Sequence, residues 1–329
     1  MSGMSFNFIE VCAGAGGLSQ GFMKAGFTPL MLNEIDATCC ATLRKNHPGV
    51  TVVSEDMTKL DVTEYIGCVD CFIGGPPCQS FSQAGQRRGL EDERGDLIMR
   101  YKDLVSELKP KCFLMENVKG LLSHEKGATF KRVLENLDAD GLYNIKYQVV
   151  NAVDYQVPQK RERVIVIGVR KDLEKEYTFP EKITPRLVLE DVLLDCPPSG
   201  GYEYTDAKRD VMRLVPPGGC WVNLPEAVQR TYMGKSYESG GGRRGMARRL
   251  SMKEASLTLT TSPNQKQTER CHPLETRPLR VREYARIQTF PDEYEFCGSI
   301  AKQYKQIGNA VPVKLAYHLA LSLKSMVGG

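Results

Sequence analysis

Between residues 6 and 169 the chain alternates short apolar runs with stretches of helical spacing, and this alternation restricts the available folds more than any other feature. Residues 6–11, 30–33, 69–73, 112–115 and 164–169 are short, mostly apolar and bounded by Gly, Pro or charged residues, the pattern of buried strands. Residues 18–25, 37–45, 96–108 and 130–137, lying between them, carry helix-compatible spacing. Strand and helix in alternation predict an α/β fold: a doubly wound, mostly parallel sheet with helices on both faces.

The pattern stops near Pro185. From there to about Arg280 the chain is richer in Gly, Pro and Arg, and Pro197-Pro198, Pro216-Pro217-Gly218-Gly219 and Gly240-Gly241-Gly242 break any long element. With 329 residues and a prior of about 150 per domain, two unequal domains are expected. The larger is expected over residues 1–185, completed by a C-terminal segment, 303–329, whose residues 313–326 are spaced as a helix after Pro312. The smaller, irregular one is expected over 186–302.

Hydrophobic residues make up 41% and charged residues 26% of the chain, which excludes disordered and collagen-like classes. No apolar stretch approaches the roughly 18 residues of a membrane span, and the N-terminus has no basic-then-apolar leader, so a cytoplasmic protein is expected. Eleven cysteines without an export signal read as reduced thiols rather than a disulfide framework. The net charge of +4 is uneven: residues 201–280 hold 14 Lys and Arg against 8 Asp and Glu, a net +6 that leaves −2 for the rest.

Several segments carry chemistry. The first strand runs into Ala13-Gly14-Ala15-Gly16-Gly17 and then a helix, a turn that lets backbone approach a ligand closely, and Glu34 follows the second strand where an acid can take ribose hydroxyls. The spacing Gly-x-Gly-Gly departs from the dinucleotide fingerprint and favours another adenosine-bearing cofactor over a nicotinamide one; a plain tight turn is the competing reading. Gly74-Gly75-Pro76-Pro77-Cys78-Gln79-Ser80-Phe81-Ser82 puts Cys78 at a strand's carboxyl end, presented rigidly by two prolines. Glu116 and Asn117 follow an apolar run and set a carboxyl group at a strand end, fit to act as an acid or to cap a helix. In Gln159-Lys160-Arg161-Glu162-Arg163 alternation puts Arg161 and Arg163 on one side if the strand begins early, so that both could converge on one ligand. Cys68 and Cys71 form a Cys-x-x-Cys pair with no second pair or His cluster nearby, and His47, His124, His272 and His318 form no ligand pattern; no metal is expected.

Taken in order, these segments resemble the motif series of the DNA cytosine-5 methyltransferases, particularly the compact bacterial modification enzymes, from Phe8 to Pro312. The series is Phe8-Ile9-Glu10-Val11-Cys12-Ala13-Gly14-Ala15-Gly16-Gly17, Asn33-Glu34-Ile35-Asp36, Pro76-Pro77-Cys78-Gln79, Glu116-Asn117-Val118, Gln159 through Arg163, Arg280-Val281-Arg282-Glu283-Tyr284-Ala285-Arg286-Ile287-Gln288-Thr289-Phe290-Pro291, and Gln306-Ile307-Gly308-Asn309-Ala310-Val311. The resemblance implies that Cys12 through Gly17, Glu34, Asp56, Pro77, Leu97 and Asn309 line an S-adenosylmethionine pocket, with Glu34 on the ribose and Asp56 on the adenine amino group. Cys12 is a departure, standing where many relatives have phenylalanine against the adenine; Ile35 is the neighbouring apolar residue able to supply that contact.

The same resemblance implies that Cys78 adds to carbon 6 of cytosine, that Glu116 donates at ring nitrogen 3, and that Arg163, with Arg161 beside it, takes the base carbonyl and orients Glu116. The target base must leave the duplex, at a cost of roughly a few kcal/mol. Residues 79–95, polar and charged at Arg87, Arg88 and Arg94, suit a mobile loop closing on double-stranded DNA, with Gln79 and Ser82 in contact with it. The basic segment becomes a target-recognition part in which Arg243, Arg244, Arg248 and Arg249 reach phosphates, Thr258-Leu259-Thr260-Thr261 forms a short Thr-Leu element, and residues 262–272 hold the recognition loop. With no further domain expected at either end, the reading is a stand-alone monomeric modification enzyme with a separate cognate restriction endonuclease. Against a transfer-RNA-methylating relative stands the lack of a Cys-Phe-Thr tripeptide. Cys78, Glu116, Arg161 and Arg163 stand against an inactive homologue, and the Pro-Pro-Cys and Gly-Asn segments against a nicotinamide-dependent oxidoreductase.

Overall fold

The computed structural model describes residues 6–77, 96–138, 140–238 and 245–327. In chain order the helices and strands are β1 (Phe6–Val11), α1 (Gly17–Lys24), β2 (Phe27–Asn33), α2 (Ala37–Asn46), β3 (Thr51–Val53), β4 (Cys71–Gly74), α3 (Asp96–Leu108), β5 (Cys112–Val118), α4 (Ala128–Leu137), β6 (Tyr143–Asn151), β7 (Gln159–Lys160), β8 (Glu162–Arg170), α5 (Glu190–Leu193), α6 (Asp206–Arg213), α7 (Glu226–Met233), β9 (Ser256–Leu257), α8 (Val281–Ile287), α9 (Ile300–Asn309) and α10 (Val313–Val327). Among the described residues no helix is long and apolar enough to cross a membrane.

The chain forms two compact units. One comprises Met1–Tyr155, Glu162–Ile183 and Val311–Gly329; the other comprises Gln156–Arg161 and Thr184–Ala310. The return to the first unit therefore falls at Val311, after α9, where the sequence placed it at 303, and residues 156–161 belong with the second unit.

The first unit is built on a seven-stranded sheet of order β3-β2-β1-β4-β5-β8-β6. Pairings from β3 through β5 are parallel, and β8 runs antiparallel to both β5 and β6. This is the doubly wound, mostly parallel sheet that the alternation predicts. Its strands are apolar because helices cover both faces: Phe8, Ile9, Phe72, Ile73, Phe113 and Leu114 are all fully buried. The strand order reverses at β1, which has β2 on one side and β4 on the other, and the carboxyl ends at such a switch point are where open α/β sheets bind ligands. Edge strand β6 was not foreseen, because its buried and exposed residues are mixed and give no continuous apolar run.

The second unit is a set of short helices joined by irregular chain, plus one parallel pairing of β7 with β9. Tyr204, Met212, Val215, Leu224, Ala247 and Cys271 form one of its cores. Much of its arginine is structural. Arg277 makes a bidentate pair with the buried Glu283 of α8 (2.9 and 2.7 Å), and Arg282 donates to the carbonyls of Pro291 and Tyr294. Arg249, expected at phosphates, is buried and donates to Met212 O and Thr276 Oγ1, both at 2.8 Å. Its charge serves folding because the loops around it leave carbonyls that need donors.

Candidate active site

The glycine-rich turn sits where β1 gives way to α1. Cys12, Gly14 and Gly16 all have positive φ (53°, 55° and 78°), so the chain folds back on itself within five residues, and Gly16 caps α1 in a left-handed conformation. A side chain at Gly14 would meet nothing within 4 Å, so the turn faces open space. Glu34, nearly buried, closes the turn from the end of β2: one carboxylate oxygen accepts from Gly14 N (2.7 Å), the other from Asp36 N (2.8 Å). Asp56 caps the turn after β3 by accepting from Thr58 N (2.9 Å), and these hydrogen bonds hold its carboxyl below the usual range. Ile35 is 66% exposed, an open apolar face beside Glu34. Cys12 lies with its Sγ 4.0 Å from Met57 Sδ, and burial, with the carboxylates of Glu34, Glu10 and Asp56 around it, pushes its thiol up to about 12. Ala13 and Ala15 are buried, Pro77 is exposed, and Leu97 on α3 packs partly against the core.

Glu10, one residue before the end of β1, carries no role in the sequence reading. It is fully buried, its Oε2 has no hydrogen-bond partner, and burial raises it to about 8, against a downward pull from Ser19 of α1. One oxygen of this buried carboxyl is therefore left unpaired, one residue before the end of the strand that leads into the glycine turn.

The second cluster lies at the ends of β4 and β5. A Cβ on Gly75 would stand 3.1 Å from Glu116 Oε2, so the chain leaving β4 passes directly over that carboxylate. Asn117 Nδ2 donates to Pro76 O (2.9 Å) and fixes the start of the Pro-Pro segment. Arg163 Nε lies 2.8 Å from Glu116 Oε1, with both side chains about seven-eighths out of water. The pair follows from register: Val118 stands opposite Arg163 and Glu116 opposite Ile165, so Glu116 and Arg163 are diagonal neighbours on one face of the antiparallel β5–β8 ladder. Cys78, Gln79, Ser82, Arg94, Arg243 and Arg244 lie outside the described residues.

The structure does not bring Arg161 and Arg163 onto one strand face. β8 begins at Glu162, and Arg161, in the second unit, is buried with its guanidinium on Leu259 O and Asn309 O, both at 3.3 Å. The break between β7 and β8 defeats the alternation on which convergence was argued. Thr258 spends its hydroxyl on Lys160 O (2.7 Å), and Asn309 is the exposed last residue of α9.

The family model of the C-5 cytosine-specific DNA methylases matches residues 6–325. The chain belongs to that family. Among curated relatives of this methylase is the Type II methyltransferase M.Sau96I of Staphylococcus aureus, 51% identical over 97% of this chain and 75% of its own length. M.Eco47II of Escherichia coli is 48% identical over 97% of the chain and 78% of the relative, and M.MthTI of Methanothermobacter thermautotrophicus 36% over 99% of each. Among solved structures, a DNA modification methyltransferase encoded within an E. coli prophage superposes with a TM-score of 0.75 at 27% identity, covering 99% of this chain and 100% of that one. Spodoptera frugiperda DNMT2 shares the fold (TM-score 0.65) at 16% identity, over 97% of this chain and 99% of that one.

Sequence reasoning missed three positions that shape the methylase's second unit. Gln159 and Gln288 are fully buried and bonded to each other, and Gly308 packs so tightly that a Cβ there would stand 2.1 Å from Thr260 O. All three stand within motif segments already singled out, but Gln159 and Gln288 sit among charged residues that give no signal of burial.

Proposed function

We propose that this methylase transfers a methyl group from S-adenosylmethionine to carbon 5 of a cytosine rotated out of duplex DNA, within one short sequence, as the modification enzyme of a Type II restriction-modification system. The observation that carries the reading is the Glu116–Arg163 pair, held in a sheltered notch against Gly75, three residues before Cys78. The open glycine turn, the Glu34 carboxylate, the exposed apolar face of Ile35 and the orphaned Glu10 oxygen fit an adenosine-bearing, amino-acid-bearing group. Residues 12–17, Glu34, Ile35, Asp56, Pro77, Leu97 and Asn309 are the residues that would hold it, and it supplies an electrophilic methyl.

Carbon 5 of cytosine is too weak a nucleophile to be methylated directly. A thiolate at Cys78 forms a bond to carbon 6 and pushes the ring's electron pair toward carbon 5; sulfur does this well with only a few per cent ionised near pH 7. Glu116 meets the negative charge that develops at ring nitrogen 3 with a proton or hydrogen bond. Arg163 keeps Glu116 in register through its Nε and anchors Nη1 on Glu162 O (2.7 Å), so Nη2 is the nitrogen that meets the carbonyl oxygen of the base. After carbon 5 is methylated, loss of its proton to a base re-forms the carbon 5–carbon 6 double bond, breaks the sulfur–carbon 6 bond and frees Cys78 as the thiolate. Arg161 contributes by holding backbone. The second unit, with Thr258 and the basic chain at 243–244, provides target recognition.

Incubation with labelled S-adenosylmethionine and mixed-sequence duplex DNA, with transfer RNA in parallel, tests the reading by base-resolution mapping of 5-methylcytosine. Label in one short DNA motif is the expected result; label confined to RNA, or absent from both, overturns it.

A further inference from the structure

The second unit contains a directed chain of hydrogen bonds through two buried amides. Gln288, the residue after α8, donates from Nε2 to Ile307 O (2.7 Å) and Ala310 O (3.1 Å) at the carboxyl end of α9. Its Oε1 accepts from Gln159 Nε2 (2.8 Å), and Gln159 Oε1 accepts from Leu259 N (3.0 Å). The two carbonyls that Gln288 faces accept only, so its amide orientation is fixed, and with it that of Gln159. Arg161 reinforces both ends, on Leu259 O and Asn309 O.

A helix leaves its last carbonyls unpaired, and the proline at 312 brings no N–H to this helix end. Side-chain donors from Gln288, after α8, and Arg161, after β7, supplement the backbone there. Arg161 also donates to Leu259 O, and Gln159 accepts from Leu259 N, in the 258–260 segment against which Gly308 is packed. The end of α9 and the Thr-Leu element are thereby tied into one body by two glutamines 129 positions apart in sequence.

We propose that Gln159 and Gln288 are positioning residues: through this chain they set the end of α9 that presents Asn309 and, together with it, the 258–260 segment. The inference rests on the reading above, in which Asn309 serves the methyl donor and Thr258 the DNA. Gln288→Leu keeps the volume but strands Ala310 O and the Gln159 amide, and leaves Ile307 O only the 3.3 Å bond from Ala310 N. Gln159→Leu strands Leu259 N and Gln288 Oε1. Because both substitutions cut the same chain, their effects should not multiply.

The test is steady-state methylation by the full chain, varying S-adenosylmethionine and duplex DNA separately. Each single variant should raise both KM values about tenfold while kcat falls by less than about threefold. The Gln159→Leu/Gln288→Leu double variant should be no worse than the more severe single one. If Gln288→Leu does not fold, Gln159→Glu, which keeps an acceptor for Leu259 N and sets a carboxylate oxygen against Gln288 Oε1 in place of the amide donor, should show at least the same KM rise. An active unsubstituted enzyme whose variants keep both KM values within about twofold, or whose double variant shows multiplied effects, overturns the positioning role alone. An unsubstituted enzyme with no methyl transfer to DNA overturns the functional reading, and the positioning role with it.

Discussion

Arg163 and Glu116 meet across the β5–β8 ladder with Nε 2.8 Å from Oε1, although 47 positions apart in sequence, and the register of two antiparallel strands alone makes them neighbours. The pair gives the candidate site its rigidity: the carboxylate that must face a base is aimed by a planar, permanently charged group anchored in the sheet.

Arg163→Lys keeps the charge and loses the fork. The ammonium cannot hold Glu116 and the base carbonyl together, so kcat should fall about 100-fold or more, with affinity for S-adenosylmethionine unchanged. Single-turnover methylation and equilibrium cofactor binding, measured side by side, separate the two effects; a matching loss of cofactor affinity would mean the arginine serves folding of the whole edge.

Glu34→Gln replaces one of two acceptors with an amide donor facing a backbone N–H, at Gly14 or at Asp36. The glycine turn loosens, and affinity for S-adenosylmethionine should fall about tenfold or more. Calorimetric titration measures it, and an unchanged affinity would remove Glu34 from the pocket.

Glu10 makes stability depend on pH. Folding raises it from 4.5 to about 8, so the native state keeps a proton that the unfolded chain releases above about pH 4.5. Its contribution is therefore complete below that pH and is lost as pH rises toward 8. The thermal midpoint of the wild-type protein should drop relative to that of Glu10→Gln between about pH 5 and pH 8. Parallel curves for the two proteins would show that Glu10 ionises equally freely in both states.

Gly308→Ala introduces a methyl 2.1 Å from Thr260 O, a backbone atom that cannot swing away. The packing of α9 on the 258–261 segment must open, and the variant should lose about 1–3 kcal/mol in urea unfolding. Wild-type stability in that variant would show the two segments are not held together.

Much of this was legible in the sequence, for physical reasons. Strands buried on both faces read as continuous apolar runs, so β1, β5 and the central part of β8 stand out, and the turn after β1 needs glycines that cannot be disguised. Glu34 and Glu116 could be set at strand ends because they follow such runs directly. What escaped depends on tertiary pairing. Arg161 and Arg163 look alike in sequence, yet a one-residue break between β7 and β8 sends one to backbone carbonyls of the second unit and the other to Glu116. The basic patch overstated what is available to DNA, because Arg249, Arg270 and Arg277 are spent on internal acceptors and carboxylates. The Gln159–Gln288 bond joins residues with no periodic relation at all.

The most direct test of the covalent mechanism uses duplex DNA carrying 5-fluorocytosine at the mapped target, incubated with the full chain and S-adenosylmethionine. Fluorine cannot leave carbon 5 as the proton does, so the adduct should accumulate one-to-one, survive denaturation and map by mass spectrometry to the peptide containing Cys78. Efficient methylation of the ordinary duplex with no such adduct, or an adduct on any other cysteine, would contradict the assignment.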